Sequence, residues 1–245
     1  MSKTTADGDQ SFVSPEVRAQ IRRLSIPIAT AFGRAGITPN GLTIIGFGIA
    51  IGAGVAAATG TWFLAGLLVI GGGVFDLFDG ALARATNKVS VLGAFFDSTF
   101  DRWGEAVVYV GIVAGCASQG YMVGALLSAI AMSSSFLVSY TRAKAESIGF
   151  HGEVGVAPRA ERLVILTASL IIAGLAGGLP DRAASAAATF TIEGLTGRGA
   201  LWLNLGLGII AALATITVIQ RIVHVRAQAL RAQAARGREL HPEDQ

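Results

Sequence analysis

The sequence predicts an all-α, polytopic membrane protein: six transmembrane helices preceded by an N-terminal amphipathic helix at the interface. Three observations predict it. The 245 residues are 52% hydrophobic and only 14% charged, with mean hydropathy +0.60, a balance found in polytopic membrane proteins rather than soluble domains. Apolar stretches of about 20 residues, the length a bilayer requires, recur along the chain. Lysine and arginine gather on alternate connections and in the tails, which is the pattern that sets orientation. A pI near 9.4 could suit a nucleic-acid partner, but basic residues confined to helix ends and tails argue against one. The single cysteine, Cys116, lies in an apolar run and can form no intrachain disulfide.

Residues 1–13 read as a disordered polar tail. Ser14-Pro15-Glu16 is a helix start, with Ser14 as cap and Pro15 in the first turn. Over 14–35, Val17, Ile21, Leu24 and Ile28 recur at three- and four-residue steps, opposite Arg18, Arg22 and Arg23. That is a juxtamembrane amphipathic helix, disturbed near Pro27. The first apolar stretch begins after residue 30 without a small-residue cleavage site, so no removable signal peptide is expected. A single domain over 36–225 then holds six spans, near 40–59, 61–84, 91–116, 121–145, 161–179 and 199–225. Thr38-Pro39-Asn40 starts the first. The links at 59–61 and 118–121 are too short for anything but antiparallel neighbours. Six spans place the N-terminus, the 84–90 turn, the 142–162 segment and the C-terminal tail on one side. The other side holds only Arg182 and Arg198, so the first side is expected to be cytoplasmic and the membrane to be the plasma membrane. The charged, Ala-rich tail at 226–245 reads as a fraying helical extension whose arginines can meet anionic lipid or simply water.

Four aspartates stand where lipid is expected. Asp76 and Asp79 sit near the end of the second span, Asp97 and Asp101 near the start of the third. A charged group at mid-membrane costs about 2.5–3.5 kcal/mol on insertion scales, so a compensating partner is implied. Helix rise puts Asp79 and Asp76 about 7 and 12 Å below the end at Arg84, and Asp97 and Asp101 about 10 and 16 Å below a start at Ser90. The short 84–90 turn makes the second and third spans antiparallel neighbours, so all four can meet in one layer. Asp76, Asp79 and Ala83 share a face, as do Gly93, Asp97, Asp101 and Glu105. Gly80, Ala83 and Gly93 keep those faces small enough for a phosphate to approach backbone. An oxygen-only ligand set without His or Cys suits Mg²⁺ or Mn²⁺, and four carboxylates can hold two ions about 3.5–4 Å apart around a phosphoryl displacement. The spacing alone would equally serve a cation or proton pathway. Arg84, one turn beyond the acids, favours phosphate, which a guanidinium pairs bidentately.

The run Asp76-x2-Asp79-Gly80-x2-Ala83-Arg84-x8-Gly93-x3-Asp97-x3-Asp101 resembles the complete signature of the CDP-alcohol phosphotransferases. The likeness extends from about Thr38 to Arg221. It implies a membrane enzyme that moves a substituted phosphate from a CDP-linked donor to an alcohol and releases CMP. It implies metal ligation by Asp76, Asp79, Asp97 and Asp101, with Asp101 also the catalytic base. Asp76, Gly80, Ala83, Arg84 and Gly93 would bind the cytidine diphosphate. A homodimer is implied as well.

The second basic segment bears on the alcohol. Tyr140-Thr141-Arg142-Ala143-Lys144-Ala145-Glu146 and Pro158-Arg159-Ala160-Glu161-Arg162 resemble segments of actinobacterial-type phosphatidylinositol phosphate synthases. Ala157-Pro158-Arg159 departs from the Glu-Arg pair usual there. The resemblance implies CDP-diacylglycerol as donor and a phosphorylated polyol, myo-inositol 1-phosphate, as acceptor. Arg142, Lys144, Arg159, Arg162 and Arg221 would hold the acceptor phosphate. Glycerol 3-phosphate and free inositol are the alternatives, and the positive-inside rule alone would also place basic residues here. Gly71-Gly72-Gly73, Glu105, His151, Cys116, Trp62 and Trp202 are read as packing, pairing or solvated residues without a role in the chemistry.

Overall fold

The computed structural model describes Pro27 and residues 31–86, 89–179, 197 and 199–240, with side chains to 235 in the last helix. The polar tail 1–13, most of the amphipathic helix at 14–35, most of the 180–198 link and residues 241–245 lie outside the described residues. Six long helices follow a short helical turn at 31–34: α1 (Pro39–Ala58), α2 (Trp62–Ala85), α3 (Val91–Ser118), α4 (Met122–Ser147), α5 (Arg159–Leu175) and α6 (Ala200–Leu240).

Local chemistry sets the boundaries. Thr38 caps α1, its Oγ1 accepting from the Gly41 amide at 3.1 Å, with Pro39 in the first turn. Ser90 caps α3 in the same way through the Gly93 amide at 3.0 Å. Gly60 and Gly120, both at positive φ, turn the chain between α1 and α2 and between α3 and α4. One boundary differs from expectation. α5 runs from Arg159 to Leu175 rather than 161–179, because Gly177 and Gly178 take positive φ and end it early. α6 continues past 225 as the helical extension expected there, unbroken through Leu240.

Neighbouring helices close a ring: α1 on α2, α2 on α5, α5 on α6, α6 on α4, α4 on α3 and α3 on α1. The expectation that α2 and α3 pack side by side is corrected. α1 packs against both, and the acidic ends of α2 and α3 face each other across a gap. The α1–α3 contact is backbone-close: a Cβ on Gly111 would lie 2.1 Å from the Gly54 carbonyl oxygen. One continuous core joins Trp62, Tyr109, Ile112, Leu166, Leu170, Leu203, Leu207 and Ile210. A smaller cluster of Leu42, Ala81 and Leu82 receives Phe32 and Ile37 from the segment before α1.

Large apolar side chains also face outward along the bundle, among them Ile44, Val55, Val110, Ile130, Val164 and Ile219, as expected where lipid replaces water. Four of the six helices, α1, α2, α4 and α6, are long and apolar enough to cross a membrane. α3 is long enough, yet Asp97, Asp101, Arg102 and Glu105 fill its first half. α5 has only 17 residues.

Candidate active site

The end of α2 and the start of α3 carry the acidic residues to one end of the bundle. Asp79 is buried, and Thr43 of α1 donates to its Oδ2 at 2.8 Å. Asp76 and Asp101 share a partner: Arg159, at the first position of α5, donates from Nη2 to Asp76 Oδ2 at 3.1 Å and from Nη1 to Asp101 Oδ2. Arg102 lies 3.7 Å from the same Asp101 oxygen. Asp79 interacts electrostatically with Asp97 and Asp101, and Asp97 with Asp101. The four carboxylates thus form one interacting group, as the spacing predicts.

Two spaces flank this group. An outer cleft of about 290 Å³ is lined by Asn40, Thr43, Asp79, Gly80, Ala83, Arg84, Gly93 and Asp97, among others. All of the residues expected at a cytidine diphosphate are there except Asp76. The Arg84 guanidinium folds over Gly80, its Nη1 3.4 Å from where a Cβ would stand. Asp76 and Asp101 instead border a smaller inner cavity of about 50 Å³ with Glu105 and Arg159. Thr43 borders both spaces.

The basic residues divide. Arg162 is 1% exposed, 3.5 Å from Glu105, and donates to the Ala157 carbonyl at 3.0 Å. Its Nε and Nη2 have no hydrogen-bond partner. Arg221 is 6% exposed; its Nε donates to the Val154 carbonyl at 2.8 Å and its Nη1 to that of Val138. Arg142 pairs with Glu146 at 2.8 Å and with Glu153. Arg221 interacts with both Arg142 and Arg162, so three like charges share one region beside the acids. Arg159 stands apart from them, on the carboxylates. Lys144 is not brought in: roughly 200° of helical turn separates it from Arg142 on α4, and it is exposed.

Thr43 and the Glu105–Arg162 pair are the contributions that sequence reasoning misses. A threonine inside an apolar span one turn after Pro39 is a usable signal for the first. Glu105, for which the sequence leaves pairing with Arg102 or with a neighbouring helix open, neutralises a buried arginine on another helix; periodicity within one helix does not reveal which arginine.

The donor set fits a hard divalent cation: four carboxylates, no His or Cys, and the two guanidiniums of Arg159 and Arg102 against four formal negative charges. Among the described residues, no three such side chains are drawn around one point closely enough to hold an ion. Arg159 supplies the local positive charge between Asp76 and Asp101.

Comparison with known proteins agrees with this geometry. A Streptomyces avermitilis phosphatidylinositol phosphate synthase is 36% identical over 230 residues, covering 92% of this chain and 87% of its own. An archaetidylinositol phosphate synthase from Methanothermobacter thermautotrophicus is 33% identical over 210 residues, covering 86% and 92%. The crystal structure of Mycobacterium tuberculosis phosphatidylinositol phosphate synthase (PgsA1) with CDP-DAG bound superposes with a TM-score of 0.69 at 25% identity, covering 83% of this chain and 94% of that one. The same enzyme in complex with manganese and citrate also gives 0.69, at 26% identity over 82% and 88%. Residues 36–210, from just before α1 into α6, match the family described as CDP-alcohol phosphatidyltransferase, and with the acidic pairs, the small residues and Arg84 all gathered at one end of the bundle, the chain belongs to that family of enzymes.

Proposed function

We propose that this protein transfers a phosphatidyl group from CDP-diacylglycerol to a phosphorylated polyol, myo-inositol 1-phosphate, releasing CMP. One observation carries the reading: Glu105, which lines the inner cavity with Asp76 and Asp101, pairs with buried Arg162, and Arg162, buried Arg221 and exposed Arg142 bring three like charges into one region. Like charges so placed, with Arg162 Nε buried and without a hydrogen-bond partner, call for an anion. The names of the relatives agree, since both the bacterial and the archaeal synthases are named for an inositol phosphate product.

Asp76, Asp79, Asp97 and Asp101 would hold two divalent ions, Mg²⁺ or Mn²⁺. When bound, these would neutralise the diphosphate and stabilise charge on departing CMP. Gly80, Ala83 and Gly93 leave room for the cytidine diphosphate against backbone, and Arg84 pairs with its phosphate. Arg142, Arg162 and Arg221 hold the acceptor phosphate. Asp101 takes the proton from the acceptor hydroxyl. That oxygen bonds to the phosphorus bearing diacylglycerol as the bond from phosphorus to the CMP oxygen breaks.

All six helices cross the plasma membrane in this reading. The carboxylates of α3 line the cleft or the inner cavity: Asp97 the first, Asp101 and Glu105 the second. Both termini and the site are cytoplasmic, because the arginines collect at that end. The working form is the homodimer that the resemblance implies. Purified protein supplied with CDP-diacylglycerol and a panel of acceptors tests the assignment through CMP release. A preference of about tenfold for inositol phosphate, some 1.4 kcal/mol of discrimination, is expected. Equal use of inositol phosphate, glycerol 3-phosphate and free inositol would contradict it.

A further inference from the structure

The eleven non-helical residues 148–158 join α4 to α5. Gly149 at φ 82° and the Phe150 amide bonded to the Ala145 carbonyl at 2.9 Å end α4. Beyond them the backbone is laid along the end of α6. The His151 amide donates to Gln228 Oε1 at 3.1 Å, and Gln228 Nε2 donates back to the His151 carbonyl at 2.8 Å. The Val156 amide donates to Gln220 Oε1 at 3.2 Å, and the Ala157 amide to Thr217 Oγ1 at 3.1 Å. Thr217, Gln220 and Gln228 follow i, i+3 and i+11 on one face of α6. The fit is close: a Cβ on Gly155 would stand 2.2 Å from Thr217 Cγ2, and one on Gly152 3.0 Å from Arg142 Cα.

The same strap holds every arginine of the basic cluster. Glu153 pairs with Arg142, the Val154 carbonyl accepts from Arg221, and the Ala157 carbonyl accepts from Arg162. Three arginines from three helices are therefore aimed by one short segment. That segment has no secondary structure of its own and is secured by uncharged side chains of α6. We propose that Gln220 and Gln228 are positioning residues for the acceptor pocket, fixing the 151–157 strap and through it the directions of Arg142, Arg162 and Arg221. They touch neither substrate. Gln228 lies beyond the family match, which ends at residue 210, so the end of α6 becomes a support for the acceptor pocket rather than a tail. The inference rests on the acceptor-phosphate reading given above.

The test uses full-length Gln228→Ala and Gln220→Ala/Gln228→Ala, with Arg142→Ala as the control for that reading. Amide hydrogen exchange at 151–157 should accelerate in both glutamine variants. The KM for inositol phosphate should rise about fivefold or more, the loss expected of one ordinary hydrogen bond, while the KM for CDP-diacylglycerol and kcat stay within about twofold. Unchanged exchange would overturn the proposal. So would a parallel rise in both KM values, which marks general loosening of the fold. If exchange accelerates but only Arg142→Ala raises the acceptor KM, positioning fails and the pocket stands. If Arg142→Ala leaves that KM unchanged too, the pocket assignment falls and the positioning role with it.

Discussion

At the scale of single residues, the distinctive contact is Arg159 lying across Asp76 and Asp101. Its guanidinium stands where positive charge is needed, so it and a divalent ion compensate the same carboxylates. Arg159→Ala should lower the melting temperature measured without divalent ions, because each carboxylate loses a charged hydrogen bond that contributes about 1.5–3 kcal/mol. The stabilisation on adding Mn²⁺ should be larger in the variant than in wild type. An equal Mn²⁺ shift in the two proteins would contradict the shared role. Asp97→Asn and Asp101→Asn should abolish CMP release while leaving size-exclusion profile and circular dichroism intact, since neither is a packing residue. Much of this was legible from sequence: the aspartates, Gly80, Ala83, Arg84 and Gly93 repeat at helical steps, so their shared faces follow from periodicity alone. Thr43, the Arg159 bridge and the Glu105–Arg162 pair were not, because each joins helices far apart in sequence.

At the scale of elements, the helices themselves were readable to within a few residues, through Thr38, Ser90 and the glycine turns. Which helices touch was not. A short connection suggested that α2 and α3 pack together, whereas α1 lies against both. The outer cleft lies between the start of α1 and the facing ends of α2 and α3. Toward their other ends α1 and α3 approach closely at Gly54 and Gly111. Gly111→Ala would drive a methyl into the Gly54 carbonyl and should cost about 1–3 kcal/mol, typical of overpacking, read as a lower melting temperature. Unaltered thermal stability would show that this contact is not tight. The end of α6 was legible as helix but not in its contacts. Its Ala-rich composition signals helix, but a pattern of charge and alanine does not reveal that Gln228 meets the backbone of another connection.

For the molecule as a whole, the ring of helices brings two charge systems to one end: carboxylates from α2 and α3, arginines from α4, α5 and α6. Each is costly by itself inside an apolar bundle, and each fits a different part of one bisubstrate reaction. Because ligands that bind only the folded state stabilise it by mass action, inositol phosphate should raise the melting temperature of wild type and do so less in Arg142→Ala; equal shifts would separate the arginines from the acceptor. The central claim is that the carboxylates of α2 and α3 make phosphatidyl transfer dependent on a divalent ion. Its most direct measurement is CMP release from CDP-diacylglycerol and inositol phosphate by purified protein, before chelation, after it, and after Mn²⁺ is returned. The account predicts that turnover disappears with the chelator, returns with the ion in wild type, and does not return in Asp97→Asn. Turnover that persists in the chelator, or an Asp97→Asn enzyme that recovers like wild type, would contradict it.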